Sequence, residues 1–253
     1  MKDGCRNLAN CMAVTLLCFA FVHAQAQSSL PGASYESIAE LPDWGGLWEV
    51  TRGGAFSAEA PPLEAAHAAA ASAYTEARSR GDIEDTPAAN CVPPGMPVMM
   101  WEPYPLEILL TPGKVTVMVE AYSQWRQIFT DGRGHPDDPD LTFNGHSIGH
   151  WEDDVLVADT VGFSTQTPLD RNYGVRHSKN MRIVERIQLV EADLLEIETT
   201  VHDALALTKP WTTTRVYGRH RDWSMTEYIC QQNNRNFTTA DGKAGINLEH
   251  EVD

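Results

Sequence analysis

The stretch MRIVERIQLVEADLLEIETTV, residues 181–201, decides the fold class. Two runs, Met181–Glu191 and Leu194–Val201, alternate apolar and polar side chains, and the short polar joint Ala192-Asp193 between them suits a tight turn. Successive side chains of a strand point to opposite faces, so this alternation reads as a β-hairpin with one buried face. The same signature recurs at Leu106–Leu110, Lys114–Ala121, Gln124–Thr130, Ser147–Glu152, Val155–Val161, Thr212–Arg219 and Met225–Cys230, with an earlier strand at Trp44–Thr51 and a second tight turn at Asp153-Asp154. Only Pro62–Arg80, rich in Ala and Glu and stopped at Gly81, reads as a helix, while Gln27–Leu41 reads as extended. The expectation is a mainly β chain, an antiparallel meander of about nine or ten strands closed into a lipocalin-like barrel with one helix. Closure removes exposed strand edges and leaves room for one small ligand. A two-sheet sandwich is the alternative.

The first residues belong to targeting. Lys2 and Arg6 precede the apolar run Met12–Val22, and Ala24 and Ala26 form a small-residue cleavage signal, so residues 1–26 read as a secretory signal peptide. Residues 27–253 contain no Ser/Gly-rich linker, charge block or internal repeat and read as a single domain. No later segment is apolar for long enough to anchor the processed chain in a membrane. The chain carries a net charge of −16, and loss of Lys2, Arg6 and Asp3 with the leader makes it one unit more negative. Such a surface repels nucleic acid and anionic lipid. Of 5 cysteines, Cys91 and Cys230 survive processing, and in an oxidising compartment they are expected to pair.

Chemistry concentrates between Trp125 and Phe163, where WRQIFTDGRGHP is followed by NGHSIGHWEDDVLVADTVGF. Titratable groups are costly to desolvate, so this density between apolar runs points to a lined cleft. Alternation puts Val115, Val117 and Val119 on one face of their strand. It puts Asp159 on the face of Val155, Val157 and Val161, where a carboxylate is either functional or bound to arginine or backbone donors. Arg126, flanked by Trp125 and Ile128, and the adjacent Glu185-Arg186 pose the same choice between a structural ion pair and a group that holds a substrate oxygen. Gly145-His146-Ser147-Ile148-Gly149 matches G-x-S-x-G, but a nucleophile elbow needs strand, sharp turn and helix, and here a hairpin follows. His135, His146, His150 and His177 lie among Asp137, Asp138 and Asp140 without a recognised metal-ligand spacing, and neither a metal nor an organic cofactor is expected.

The chain resembles a family of exported bacterial proteins, abundant in proteobacteria. The resemblance rests on WGGLW at Trp44–Trp48, CVPPGMP at Cys91–Pro97, WRQIFTDGRGHP at Trp125–Pro136, GHSIGHWEDD at Gly145–Asp154, DTVGF at Asp159–Phe163, VER at Val184–Arg186, KPW at Lys209–Trp211 and EYIC at Glu227–Cys230. It covers nearly the whole processed chain and departs from the family at Asp153, where Gly is usual in the hairpin turn. It implies export and a β-rich fold, and carries over no reaction residue by residue. A looser likeness is to cofactor-independent lyases of lignin-derived aromatic dimers that release formaldehyde from a hydroxymethyl side chain. That chemistry needs a base for a hydroxyl proton, a cation or acid for the departing oxygen, and an aromatic pocket. On this reading His146 is the acid or base, assisted by Asp159 or His177, and Arg126 stabilises developing negative charge. Tyr104, Glu120, Tyr122, Trp151 and Tyr228 contact a small hydrophobic or aromatic substrate, with Trp101 and Trp125 as further aromatics. Two other readings stand beside it: a periplasmic binding barrel without chemistry, and an ester hydrolase using Ser147.

Overall fold

A computed structural model describes residues 30–51, 60–80, 91–170, 174–233, 236–241 and 244–246. Residues 1–26, read from the sequence as a signal peptide, and the three cysteines among them lie outside the described residues. The chain forms α1 (Tyr35–Ile38), β1 (Leu47–Val50), α2 (Ala65–Ser79), β2 (Leu106–Thr111), β3 (Lys114–Val119), β4 (Gln124–Phe129), β5 (His146–Glu152), β6 (Val155–Val161), β7 (Arg182–Glu191), β8 (Leu194–His202), β9 (Trp211–His220), β10 (Asn236–Thr238) and β11 (Ala244–Ile246). Strands β1 to β9 close into a barrel in chain order, and β10 and β11 form a separate two-stranded sheet. The fold is therefore the mainly β barrel with one substantial helix that the alternation implied.

The barrel departs from a pure meander at one place. Strands β4 and β5 run parallel and touch only through Ile128 opposite Ser147 and Phe129 opposite Ile148. A parallel neighbour cannot be reached by a tight turn, so residues 130–145 travel back along the outside of the wall. The other joints are as read: β7 and β8 pair antiparallel around Ala192-Asp193, and β5 and β6 around Asp153-Asp154, with Asp153 at φ 51° where glycine would sit without strain.

Three local expectations are corrected. Met225–Cys230 is not a strand, because its backbone is tied by side chains: the Thr226 amide donates to Glu120 (2.9 Å) and the Ser123 hydroxyl donates to the Tyr228 carbonyl (3.1 Å). The strand edge of β9 is already taken by β1. Within the segment expected to be extended, Ser34 and Ser37 form a reciprocal capping box that nucleates the short α1. The long helix starts only at Ala65, since Leu63 is spent in an antiparallel bridge to Leu207.

Val115, Val117 and Val119 face inward as alternation requires, and the lumen is filled by side chains such as Trp48, Ile128, Leu156, Ile183 and Ile197. Residues 96–101, with Met96, Val98, Met99 and Met100 all buried, form a plug packed into the core. It is pinned by the Met96 amide donating to the Phe143 carbonyl (2.9 Å) and by the Tyr217 hydroxyl donating to the Met100 carbonyl. Cys91 and Cys230 are disulfide-bonded, Cα atoms 5.7 Å apart, which ties the segment entering the plug to the segment leaving β9. Among the described residues no helix is long and apolar enough to cross a membrane.

Candidate active site

Because β4 and β5 share so little pairing, the returning segment 130–145 has a ledge to lie along. The Asn144 side-chain amide donates to the Trp125 carbonyl (3.0 Å), the Thr142 amide to the Gly162 carbonyl (3.0 Å) and the Ser164 amide to the Thr142 carbonyl (2.8 Å). Between the segment and the outer face of β4 lies a cleft of about 670 Å³, whose lining includes Tyr122, Trp125, Phe129, Asp138, Asn144 and His146. Gly145 sets the entry to β5. It has φ 70°, and a Cβ there would stand 2.7 Å from the Phe163 ring and from the Val161 carbonyl. Only glycine permits this approach, and it delivers His146 to the first position of the strand.

His146 stacks on Phe129, ring centroids 5.6 Å apart, and its Nδ1 lies 2.9 Å from Nδ1 of His135 on the returning segment. The far nitrogen of His135, Nε2, lies 3.7 Å from Asp159, whose two oxygens each accept a 2.8 Å hydrogen bond from Arg182. The Arg133 guanidinium sits 4.0 Å over the Phe129 ring and is paired with Asp131. Burial holds His146 below the ordinary imidazole value, and the neighbouring His135 and Arg133 act in the same direction. For Asp159, burial pushes the carboxyl up, but the hydrogen bonds and charge of Arg182 outweigh it and leave the group below its ordinary value. Near neutral pH the constellation sets a neutral His146 imidazole near an ionised Asp159 carboxylate.

The site residues expected from sequence do not all meet in one place. His146 and Asp159 come together, but on the outer face of the wall: the inward face of β6 is Leu156, Ala158 and Thr160, and the apolar face that carries Asp159 is the half-covered outer one. Arg126 borders the same cleft as His146, but its side chain is buried. Parity turns it into the lumen, where it donates to Glu185 at 2.6 Å with both side chains buried, so it is committed to an ion pair and is not placed to steady charge beside His146. Arg186, the other half of the adjacent pair, points outward to Glu152 at 2.9 Å. His177 is elsewhere. Its Nε2 meets the Thr167 hydroxyl (3.1 Å) and its Nδ1 the Ser178 carbonyl (2.9 Å), so both nitrogens are occupied, and burial lowers its pKa.

Tyr104, Tyr122 and Tyr228 do cluster, with Tyr228 centroids 5.4 Å from Tyr104 and 5.2 Å from Tyr122. Burial, reinforced by the two neighbouring phenols, pushes the Tyr228 hydroxyl up to about 12. Of this group Tyr122 lines the cleft, while Glu120 is used to hold Thr226. Trp151 lies toward the far end of β5 and packs against Trp44 at 5.2 Å, away from the others. Ser147 sits within a strand, buried, sharing a 2.8 Å hydrogen bond with Thr160, so the turn and helix of an elbow are absent around it. Among the described residues no three or more His, Cys, Asp or Glu side chains are grouped to hold a metal ion.

Sequence reasoning missed Arg182 and Arg133 and saw His135 only as a metal-ligand candidate. Alternation could have flagged Arg182, the first residue of a strand that pairs with β6. Nothing in the pattern could place His135, because its position depends on the path of the returning segment. No protein-family model matches the chain, and no curated protein matches it.

Proposed function

We propose that the protein is an exported, periplasmic acid–base lyase that works without a cofactor on a small hydrophobic aromatic substrate, with removal of formaldehyde from a lignin-derived aromatic dimer as the reaction type. The observation that carries this reading is His146, a half-buried imidazole held below its ordinary pKa and stacked on Phe129 at the edge of the cleft. A neutral imidazole near pH 7 suits proton abstraction, and the ring faces of Phe129, Tyr122 and Trp125 suit an aryl group. The step is redox-neutral. His146 takes the proton of the hydroxymethyl group, the C–O bond becomes the carbonyl of formaldehyde as the adjacent C–C bond breaks, and that electron pair forms a C=C bond as an oxygen leaves the next carbon. The imidazolium returns the proton to the departing oxygen.

A binding barrel without chemistry would use an apolar cavity with few orienting groups. The lumen is instead packed, and the lining of the cleft includes Asp138, Asp140, Asn144 and His146. The test is formaldehyde release from diaryl compounds bearing a hydroxymethyl side chain, with wild type compared with His146→Gln. Release by wild type and its loss in the variant support the reading; no release by wild type from any of them removes it.

A further inference from the structure

Two facing Nδ1 atoms 2.9 Å apart, as in His135 and His146, share one proton, because two bare lone pairs or two N–H groups at that distance repel. The tautomers of the two rings are therefore linked. If the shared proton belongs to His135, that neutral ring has a bare Nε2, and its lone pair faces the Asp159 carboxylate 3.7 Å away. If the shared proton belongs to His146, the neutral His135 carries its own proton on Nε2, and an N–H faces the carboxylate instead. The second arrangement is electrostatically favoured. Nε2 of His135 is also buried and has no hydrogen-bond partner, so Asp159 is the negative group that decides what it carries. Asp159 is itself fixed by two bonds from Arg182 and cannot swing away cheaply.

We propose that His135 and Asp159 are positioning residues that hold the proton of His146 on Nδ1 and leave its Nε2 as a lone pair available to the cleft. Free neutral histidine prefers the opposite tautomer, so this arrangement reverses the default. The proposal deepens the reading of His146 as a base and rests on it for its functional meaning: a base with its proton on the cleft-facing nitrogen could not accept another. An Asp that fixes the tautomer of a catalytic imidazole is a general device. Here the orienting carboxylate acts through a second imidazole.

The decisive measurement is long-range ¹H–¹⁵N NMR of the ring nitrogens in ¹⁵N-histidine protein above pH 7.5, with no substrate present, so failure of the lyase reading leaves it intact. In wild type the His146 signals are expected to show Nδ1 protonated and Nε2 bare in at least tenfold excess. In His135→Ala and in Asp159→Asn the population should move toward protonated Nε2. A wild-type protein whose His146 is protonated on Nε2 overturns the proposal without any variant, and so does an unchanged tautomer in both folded variants. Under the lyase reading, His135→Ala should lower kcat more than it raises KM, and His135→Asn, which can still accept at a similar position, should restore part of the loss.

Discussion

At the scale of single residues, Arg126 and Glu185 make an expensive commitment. Both are fully buried, joined at 2.6 Å, and leave Arg126 Nε and Nη2 and Glu185 Oε1 without protein partners. Arg126→Ala strands a carboxylate in the lumen and is expected to cost about 3–5 kcal/mol in a denaturant titration, whereas replacing both residues by apolar ones of similar volume should cost far less. His146→Gln should lower turnover by about 10² to 10⁴ with the melting temperature nearly unchanged, since a positioned acid or base contributes on that order. Ser147→Ala should keep turnover and lose about 1 kcal/mol of stability, for its hydroxyl does no more than bond Thr160. Loss of all activity in folded Ser147→Ala, with His146→Gln fully active, would transfer the chemistry to an ester hydrolase. Because His146 titrates below the ordinary imidazole value of ~6.5, kcat/KM should hold as pH falls to that value and decline only below it.

At the scale of elements, the joint between the returning segment and β5 is the sensitive point. Gly145→Ala brings a methyl group within 2.7 Å of Phe163, Thr160 and the Val161 carbonyl at a positive φ, and should both destabilise the protein by about 1–3 kcal/mol and displace His146. A lower melting temperature accompanied by loss of the His135–His146 contact in a crystal structure would be the expected result. The hairpins were legible because alternation and turn residues act locally: Ile183, Ile187 and Ile197 announce an inward face whatever lies beside them. Alternation sorts faces but not neighbours, and so it could not say which strand Gln124–Phe129 would adjoin. The candidate site inherits that division. His146 and Asp159 could be picked by residue type, but that Arg126 belongs to Glu185 and His135 to His146 follows from pairings across the barrel that no local pattern encodes. Asp159 shows the limit most clearly: parity grouped it with Val155, Val157 and Val161, but only the pairing of β6 with β7 reveals that Arg182 is what holds it.

At the scale of the whole molecule, the disulfide spans a sequence separation of 139 and closes most of the domain into a loop. Its reduction should cost about 2–5 kcal/mol, read as a shift in the unfolding midpoint with and without reductant, and both thiols should resist alkylation in the native oxidised protein. Acid should weaken the fold for a separate reason. The buried His177 is held below its unfolded value of ~6.5 by burial, so the folded state binds its proton less readily. Its neutral form supports stability fully above that value, and the support is lost as pH falls through the lower folded one. Unfolding midpoints between pH 7.5 and 5 should fall accordingly, and His177→Gln should flatten the dependence.

The strand count carries a consequence of its own. In a closed ring whose neighbours all run opposite ways, direction alternates around the circle, so the number of strands must be even. Nine is odd, and one adjacent pair is compelled by arithmetic to run the same way. The chain must then cover the height of the wall once without being part of it, and that passage, residues 130–145, supplies His135 and one side of the cleft. A barrel of the same sequence style with eight or ten strands would need no such passage. It would close equally well, with a tight turn at this place and no ledge on which to build a site.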